Sequence, residues 1–337
     1  MLWLELFCFL IAILLAAEIF VNALEHLGEK LHISEGVTGS LFAAVGTALP
    51  ETMVPLLAIF AGTSDTAVNQ EIGVGAILGA PLMLSTLSLS LLSFAILKKR
   101  GVRGRYHPEH TGLTRDINFF LIGFGLACIA MFVPHGNSNI RMLLSLGMVL
   151  IYAIYIGMTL RASAALVDKG HGTAAGKPMF LNKIGIPTNI VTIILQLLLG
   201  LALLVTGAEG FIHGIRQAAP ILGISALLLA LMIVPIATEL PEKINSISWI
   251  RRDKDTLAFA NITGALVFQG TLLPAIGISL TPWTPQPAVL FGITVTLIAA
   301  AWLRLIIARG ALRVWHLWVN GALYLIYLAI TLTRTAN

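Results

Sequence analysis

Apolar positions along this chain do not alternate with polar ones as they would in half-buried strands. They run in long blocks separated by short stretches bearing charges, glycine or proline. A helix needs about 20 mostly apolar residues to cross a hydrocarbon layer. Ten blocks reach that length, near 2–24, 36–61, 71–97, 114–133, 139–161, 188–212, 223–250, 256–280, 286–308 and 312–334. The pattern predicts an all-α membrane protein with ten transmembrane helices. Composition agrees: 57% of residues are hydrophobic and 11% charged. A soluble domain carries about 25% charged residues, so little room remains for a separate soluble unit. The first block lacks a basic leader and runs too long for a cleaved signal, and is expected to be the first transmembrane helix. Cys8 and Cys128 lie far apart in apolar stretches without metal-like spacing, and read as small core residues.

Charge distribution sets the expected topology. The stretch 98–113 is strongly basic, with Lys98, Lys99, Arg100, Arg103 and Arg105. The longest connection, 162–187, holds Asp168, Lys169, His171, Lys177, Pro178 and several glycines, and reads as a linker. Cytoplasmic loops accumulate Lys and Arg. With the N-terminus outside, only Arg141, Arg216 and Arg334 fall on the outer side, while Lys243 lies within a segment. All other basic residues fall inside, so both termini are expected to face outward.

Two of the blocks contain a near-identical pentapeptide, Thr47-Ala48-Leu49-Pro50-Glu51 and Thr238-Glu239-Leu240-Pro241-Glu242. An ionised side chain at bilayer depth costs about 2.5–3.5 kcal/mol on insertion scales, so each copy needs a partner or a task. The 191-residue shift from Glu51 to Glu242 also brings Ala17, Glu18 and Phe20 onto Ala208, Glu209 and Phe211. It likewise matches Leu31, Ile33 and Ser34 with Leu222, Ile224 and Ser225; after a six-residue shortening, Gly79 and Leu87 match Gly264 and Leu272. Five segments per copy is an odd number, so the second copy enters the membrane inverted. The expected organisation is a first repeat over 1–161, a cytoplasmic linker over 162–187 and a second repeat over 188–337. Such repeats place a substrate site near the midplane, at the interface of the halves.

At these residues the chain resembles the calcium/cation antiporter superfamily, the sodium–calcium exchanger group in particular. Its repeats carry a G-[ST]-[ST]-x-P-[ED] motif on the second and seventh helices and a glycine-rich motif on the third and eighth. Here the first motif is Gly46 to Glu51 and Ala237 to Glu242; the second spans Gly75 to Leu84 and Ala260 to Gln269. The resemblance implies that Glu51 and Glu242 are the central ion ligands, with Thr47 and Thr238 beside them. The chain departs from the pattern at Ala48 and Glu239, where the family has a small hydroxyl residue, and at Ala80 and Ala265, where it has serine. Leu84 and Gln269 stand where it has an amide or acid. Several oxygen ligands are missing and one carboxylate is gained.

Ca²⁺ takes about six to eight oxygen ligands at roughly 2.3–2.6 Å. Glu51 and Glu242 supply carboxylate oxygens, and each has a threonine four residues earlier on the same helix face. Pro50 and Pro241 lack an N–H and crowd the carbonyls of Gly46 and Ala237, bending the helix and freeing oxygens for a cation. Glu239 adds repulsion that favours a proton on one acid when no cation is bound, which suits proton exchange; the alternative is an ion pair with Lys243 or an orientation away from the site. Lys243 is either a built-in cation in the cavity or a side chain running to the interface. On the eighth helix Gln269 and Asn261 offer carbonyl oxygens, and Gln269 falls on the family's ligand position.

Glu18 and Glu209 either line access paths or reach the interface. Glu71 and Asp65 are read as solvated loop charges, and so is the His107-Pro108-Glu109-His110 run. No HExxH, no GxSxG and no nucleophile beside a histidine points to an enzyme. The sequence reading is therefore a non-enzymatic secondary active cation antiporter, exporting Ca²⁺ in exchange for Na⁺ or H⁺ by alternating access. Its metal-site residues are Glu51, Glu242, Thr47, Thr238, Glu239 and Gln269. No cofactor is expected, the partners are inorganic cations and the bilayer, not nucleic acid, and the working unit is a monomer. The expected location is a prokaryotic inner membrane. The alternative is a diverged relative moving protons or monovalent cations only, or without exchange.

Overall fold

The structure is a computed structural model that describes residues 2–34, 37–38, 51–52, 55–56, 59, 66–134, 136–168, 175–223, 231, 235, 239–310 and 312–335. Eleven helices order these residues: α1 (Leu2–Lys30), α2 (Thr66–Met83), α3 (Leu89–Arg100), α4 (His110–Ala130), α5 (Ser138–Asp168) and the short α6 (Phe180–Lys183). Then follow α7 (Ile190–Leu222), α8 (Leu240–Arg251), α9 (Asp255–Leu280), α10 (Pro287–Ala308) and α11 (His316–Thr335). Among the described residues seven stretches are long and apolar enough to cross a membrane, and α11 adds a shorter one. The predicted block 36–61 lies mostly outside the described residues, as does the first part of 223–250.

Local chemistry explains the boundaries. The Glu109 carboxylate caps α4, accepting from the backbone N–H of Thr111 at 2.7 Å and of Gly112 at 2.5 Å, so part of the His107–His110 run is a helix cap. Gly101 and Gly223 stop α3 and α7 at φ 68° and 65°, a region open to glycine at little cost. α5 runs on to Asp168, past the expected linker start at 162, because Ala162 to Val167 contain no glycine or proline to stop it.

α2 and α3 form one rod through a π-helical turn, Leu84–Ser88. Pro81 removes one rung of the ladder just before it. The hydroxyls of Ser85 and Thr86 both turn back onto the Leu82 carbonyl, and Asn320 of α11 donates to the Ser85 carbonyl at 2.7 Å. Local 3₁₀ and π adjustments are how such freed groups are satisfied away from water.

Burial separates a centre from a periphery. The apolar windows of α9 and of the α2–α3 rod are 83% and 72% buried, against 29% for α1 and 28% for α5 and α7. α1 and α7 form the most closely associated pair. Gly200 faces Phe20, Gly207 faces Ile13, Gly210 faces Phe9 and Gly214 faces Leu6. Rising numbers on one helix meet falling numbers on the other, so the pair is antiparallel, with small residues permitting close approach. Among the described residues the pair meets the central helices mainly through α8. Around the centre α9 packs on α4 and α5 and the α2–α3 rod on α10 and α11, while α10 also packs on α4, α9 on α2, and α8 on both α3 and α9.

The helix ends gather on two faces. On one, Tyr106 N–H donates to the Leu312 carbonyl and Val314 N–H to the Gly104 carbonyl, both at 3.0 Å. Arg100 grips Asp255 through two hydrogen bonds of 2.6 and 2.8 Å and also pairs with Asp253; Lys99 also bonds Asp253. Those two bases, the lysine foremost, hold the Asp253 carboxyl below its usual range. Asn22, Glu25 and His26 of α1 hold the backbone of Gly176, Lys177, Pro178 and Phe180 on that face. On the opposite face Arg141 is buried and donates to the carbonyls of Ile278, Thr281 and Pro282. Glu71 there lines a cavity of about 180 Å³ with Gln70, Trp283 and Gln286.

Candidate functional site

Glu239 stands at a helical turn with its N–H bonded to the Pro235 carbonyl at 3.1 Å, and α8 starts immediately after it. Pro241 thus falls in the first turn of α8, where its missing N–H costs little. Glu242 occupies the same first turn, where the positive end of the helix favours an acid. The geometry around the Ala237 carbonyl lies outside the described residues.

Glu51, Glu239 and Glu242 are all buried, at 2%, 0% and 0% exposure. Glu51 interacts electrostatically with Glu242, Glu239 and Lys243, so the acids of the two pentapeptides lie within electrostatic reach of one another in the interior. Both Glu51 oxygens lack a hydrogen-bond donor among the described residues. A buried carboxylate without a donor costs several kcal/mol, of order 1–3 even for a neutral group. Such a site attracts a cation or a proton.

Glu239 differs: its Oε2 lies 3.2 Å from Lys243 Nζ and 3.4 Å from Ser88 Oγ, within the π-helical turn. Of the sequence readings for Glu239, the ion pair is present. Of the two for Lys243, the inward one holds, because its ammonium is 4% exposed and donates to the Pro235 carbonyl at 3.4 Å. Among the described residues no three His, Cys, Asp or Glu side chains group closely enough to hold a metal ion.

Asn261 of α9 is buried, donating to the Glu242 carbonyl at 3.3 Å and to Ser246 Oγ at 3.0 Å, with its own carbonyl oxygen unbonded among the described residues. The Gln269 side chain is fully buried and likewise has no hydrogen-bond partner among the described residues. Thr47 and Thr238, like Asp65, lie outside the described residues, and so does the Glu209 side chain. Glu18 is half-exposed, paired with Lys177 at 3.2 Å on the basic face. Sequence reading missed Asp116, buried on α4 and accepting from Thr263 Oγ1 at 2.7 Å and Tyr155 OH at 3.1 Å. It also missed Ser88 at Glu239. Asp116 carried a signal as the lone acid inside block 114–133; Ser88 carried none.

The family described as sodium/calcium exchanger protein matches residues 1–161 and 192–333, most of the chain and both pentapeptides. The chain belongs to that family. It is an integral, multi-pass membrane protein. The putative antiporter CaxA of Alkalimonas amylolytica is 26% identical over 283 residues, 81% of this chain and 79% of its own. The crystal structure of the H⁺/Ca²⁺ exchanger CAX superposes with a TM-score of 0.72 at 18% identity, covering 98% of this chain and 82% of that one. The sodium–calcium exchanger NCX_Mj gives 0.66 at 20%, covering 98% and 99%. At these identities the two structures speak for the fold alone.

Proposed function

We propose that this exchanger-family protein is a secondary active cation antiporter that exports Ca²⁺ in exchange for H⁺ or Na⁺ by alternating access. The observation that carries the reading is the buried, electrostatically linked pair Glu51 and Glu242, one acid from each pentapeptide. Two acids neutralise one divalent cation, two protons or two monovalent cations. The loads therefore compete, and competition couples the fluxes. Thr47, Thr238 and Gln269 complete the oxygen set, while Lys243 holds the charge of Glu239. No cofactor takes part.

The proposed architecture is ten transmembrane helices in two inverted repeats, 1–161 and 188–337, joined through 162–187, with both termini outside. Support comes from the duplicated pentapeptide and from basic residues crowding one face. The antiparallel α1–α7 pair, touching the centre mainly through α8, is the moving unit. The setting is a prokaryotic inner membrane and the working unit a monomer. In proteoliposomes with a pH or Na⁺ gradient, Glu51→Gln is expected to reduce Ca²⁺ flux at least about 100-fold without loss of fold, the loss of one charge-assisted ligand pair being worth ~3 kcal/mol. Unchanged flux would remove the site.

The pairing of Glu239 with Lys243 also favours a second reading, a relative that moves only protons or monovalent cations. Separate Na⁺ and pH gradients with and without Ca²⁺ distinguish the two.

A further inference from the structure

We propose that Lys243 is a resident cation, its ammonium permanently filling a monovalent-cation subsite built by Glu239, the Pro235 carbonyl and the neighbouring π-helical turn. This rests on the antiporter reading for its consequence, though not for its geometry.

Glu239 is fully buried on a helix turn that faces Ser88 of the central rod. Tyr324 of α11, also buried, is in electrostatic reach of it. A carboxylate in that position cannot stay ionised alone. Lys243 lies one helical turn on and brings its charge to 3.2 Å from Oε2, with the Pro235 carbonyl as second acceptor at 3.4 Å. Its side chain points back along the chain, away from Arg251 at the far end of α8, so it does not run to the interface. Glu239 Oε1 remains without a hydrogen-bond partner among the described residues, leaving carboxylate and carbonyl oxygens as a partial coordination shell around one positive charge.

An ammonium on a tether does in this shell what a Na⁺ does in a shell of oxygens, but it cannot leave. The protein therefore carries one monovalent cation fewer per cycle than it would with an apolar residue at 243. Replacing Lys243 by an apolar side chain removes the tethered charge and leaves Glu239 to recruit a mobile monovalent cation or be neutralised.

The test is ²²Na⁺ equilibrium binding to purified protein, with thermal unfolding in NaCl against choline chloride. Lys243→Met is expected to bind one Na⁺ more per chain than its parent and to gain at least about 2 °C in Tm from Na⁺. Lys243→Arg keeps the charge and gains neither; Glu239→Gln/Lys243→Met loses the extra ion. A folded Lys243→Met that binds no additional Na⁺ overturns the proposal, and so does one equally unstable in both salts. If the extra Na⁺ appears while the unaltered protein exchanges no Ca²⁺ under any gradient, the antiporter reading falls and the subsite stands. If Ca²⁺ exchange runs and the extra Na⁺ is absent, the reverse holds.

Discussion

Asp116 shows how much a single buried charge decides here. It accepts hydrogen bonds from Thr263 on α9 and Tyr155 on α5, so one carboxylate joins three helices. Asp116→Ala removes the acceptor that Thr263 and Tyr155 share; the Thr263 hydroxyl can still turn to the Phe259 carbonyl at 3.1 Å, so the cost is of the order of 1–3 kcal/mol for the contact as a whole. The expected outcome is a lower Tm in detergent for Asp116→Ala, and a smaller fall for Asp116→Asn, which keeps one acceptor. Ca²⁺ binding per folded chain should survive both. The same contrast explains what could be read beforehand. Glu51 and Glu242 were legible because each sits beside a proline in an apolar block and is duplicated at a fixed offset. Asp116 sits near the polar start of its block, where a charge passes for a boundary residue. Arg141 was read only as an outer loop charge; its burial against three carbonyls of the α9 end depends on partners 137 residues or more away in sequence. Ser88 is one of four serines from Ser85 to Ser93 of the α2–α3 rod, and only the packing of the chain around α8 brings Glu239 to it.

Two glycines separate two kinds of helix contact. A Cβ on Gly210 would stand 2.1 Å from the ring of Phe9, whereas one on Gly79 would stand 2.4 Å from the Leu231 carbonyl oxygen. A ring can be trimmed; a backbone cannot. Gly210→Ala should therefore destabilise, and adding Phe9→Ala should restore part of the loss, with a coupling of about 0.5–3 kcal/mol in a double-mutant cycle. Gly79→Ala should find no such rescue from any single side-chain change, because α2 would have to move. The loops give a pH-dependent counterpart. Asp253 is held below its ordinary value of 3.8 by Lys99 and Arg100, so its contribution is present above about pH 4 and fades as pH falls through the lowered value. Amide protection factors at 101–106, corrected for the intrinsic exchange rate at each pH, should fall in that acid window, and Asp253→Asn should remove that fall. The element boundaries followed sequence chemistry where a glycine or cap marked them. They failed at α5, which continued past the expected linker start simply because nothing stopped it.

At the scale of the whole molecule, the contacts settle which loops share a face, and positive charge argues which face is cytoplasmic; one labelling experiment tests these separately. The stretches 101–106, 175–178, 252–254 and 312–315 belong to one face through direct backbone or side-chain bonds. Arg141 and the turn at Pro282 belong to the other. Single cysteines at Arg103, Lys177 and Arg313, and at Thr284 opposite, would be placed in a background with Cys8 and Cys128 replaced by serine and alanine. A membrane-impermeant maleimide applied to intact cells should label only Thr284→Cys, and the other three only after the membrane is opened. Labelling of all three from outside, with Thr284→Cys protected, would keep the shared faces and reverse the orientation. Labelling that divides those three between the sides would break the topology itself, and with it the proposed inverted relation by which Glu51 and Glu242 would reach one site from opposite directions.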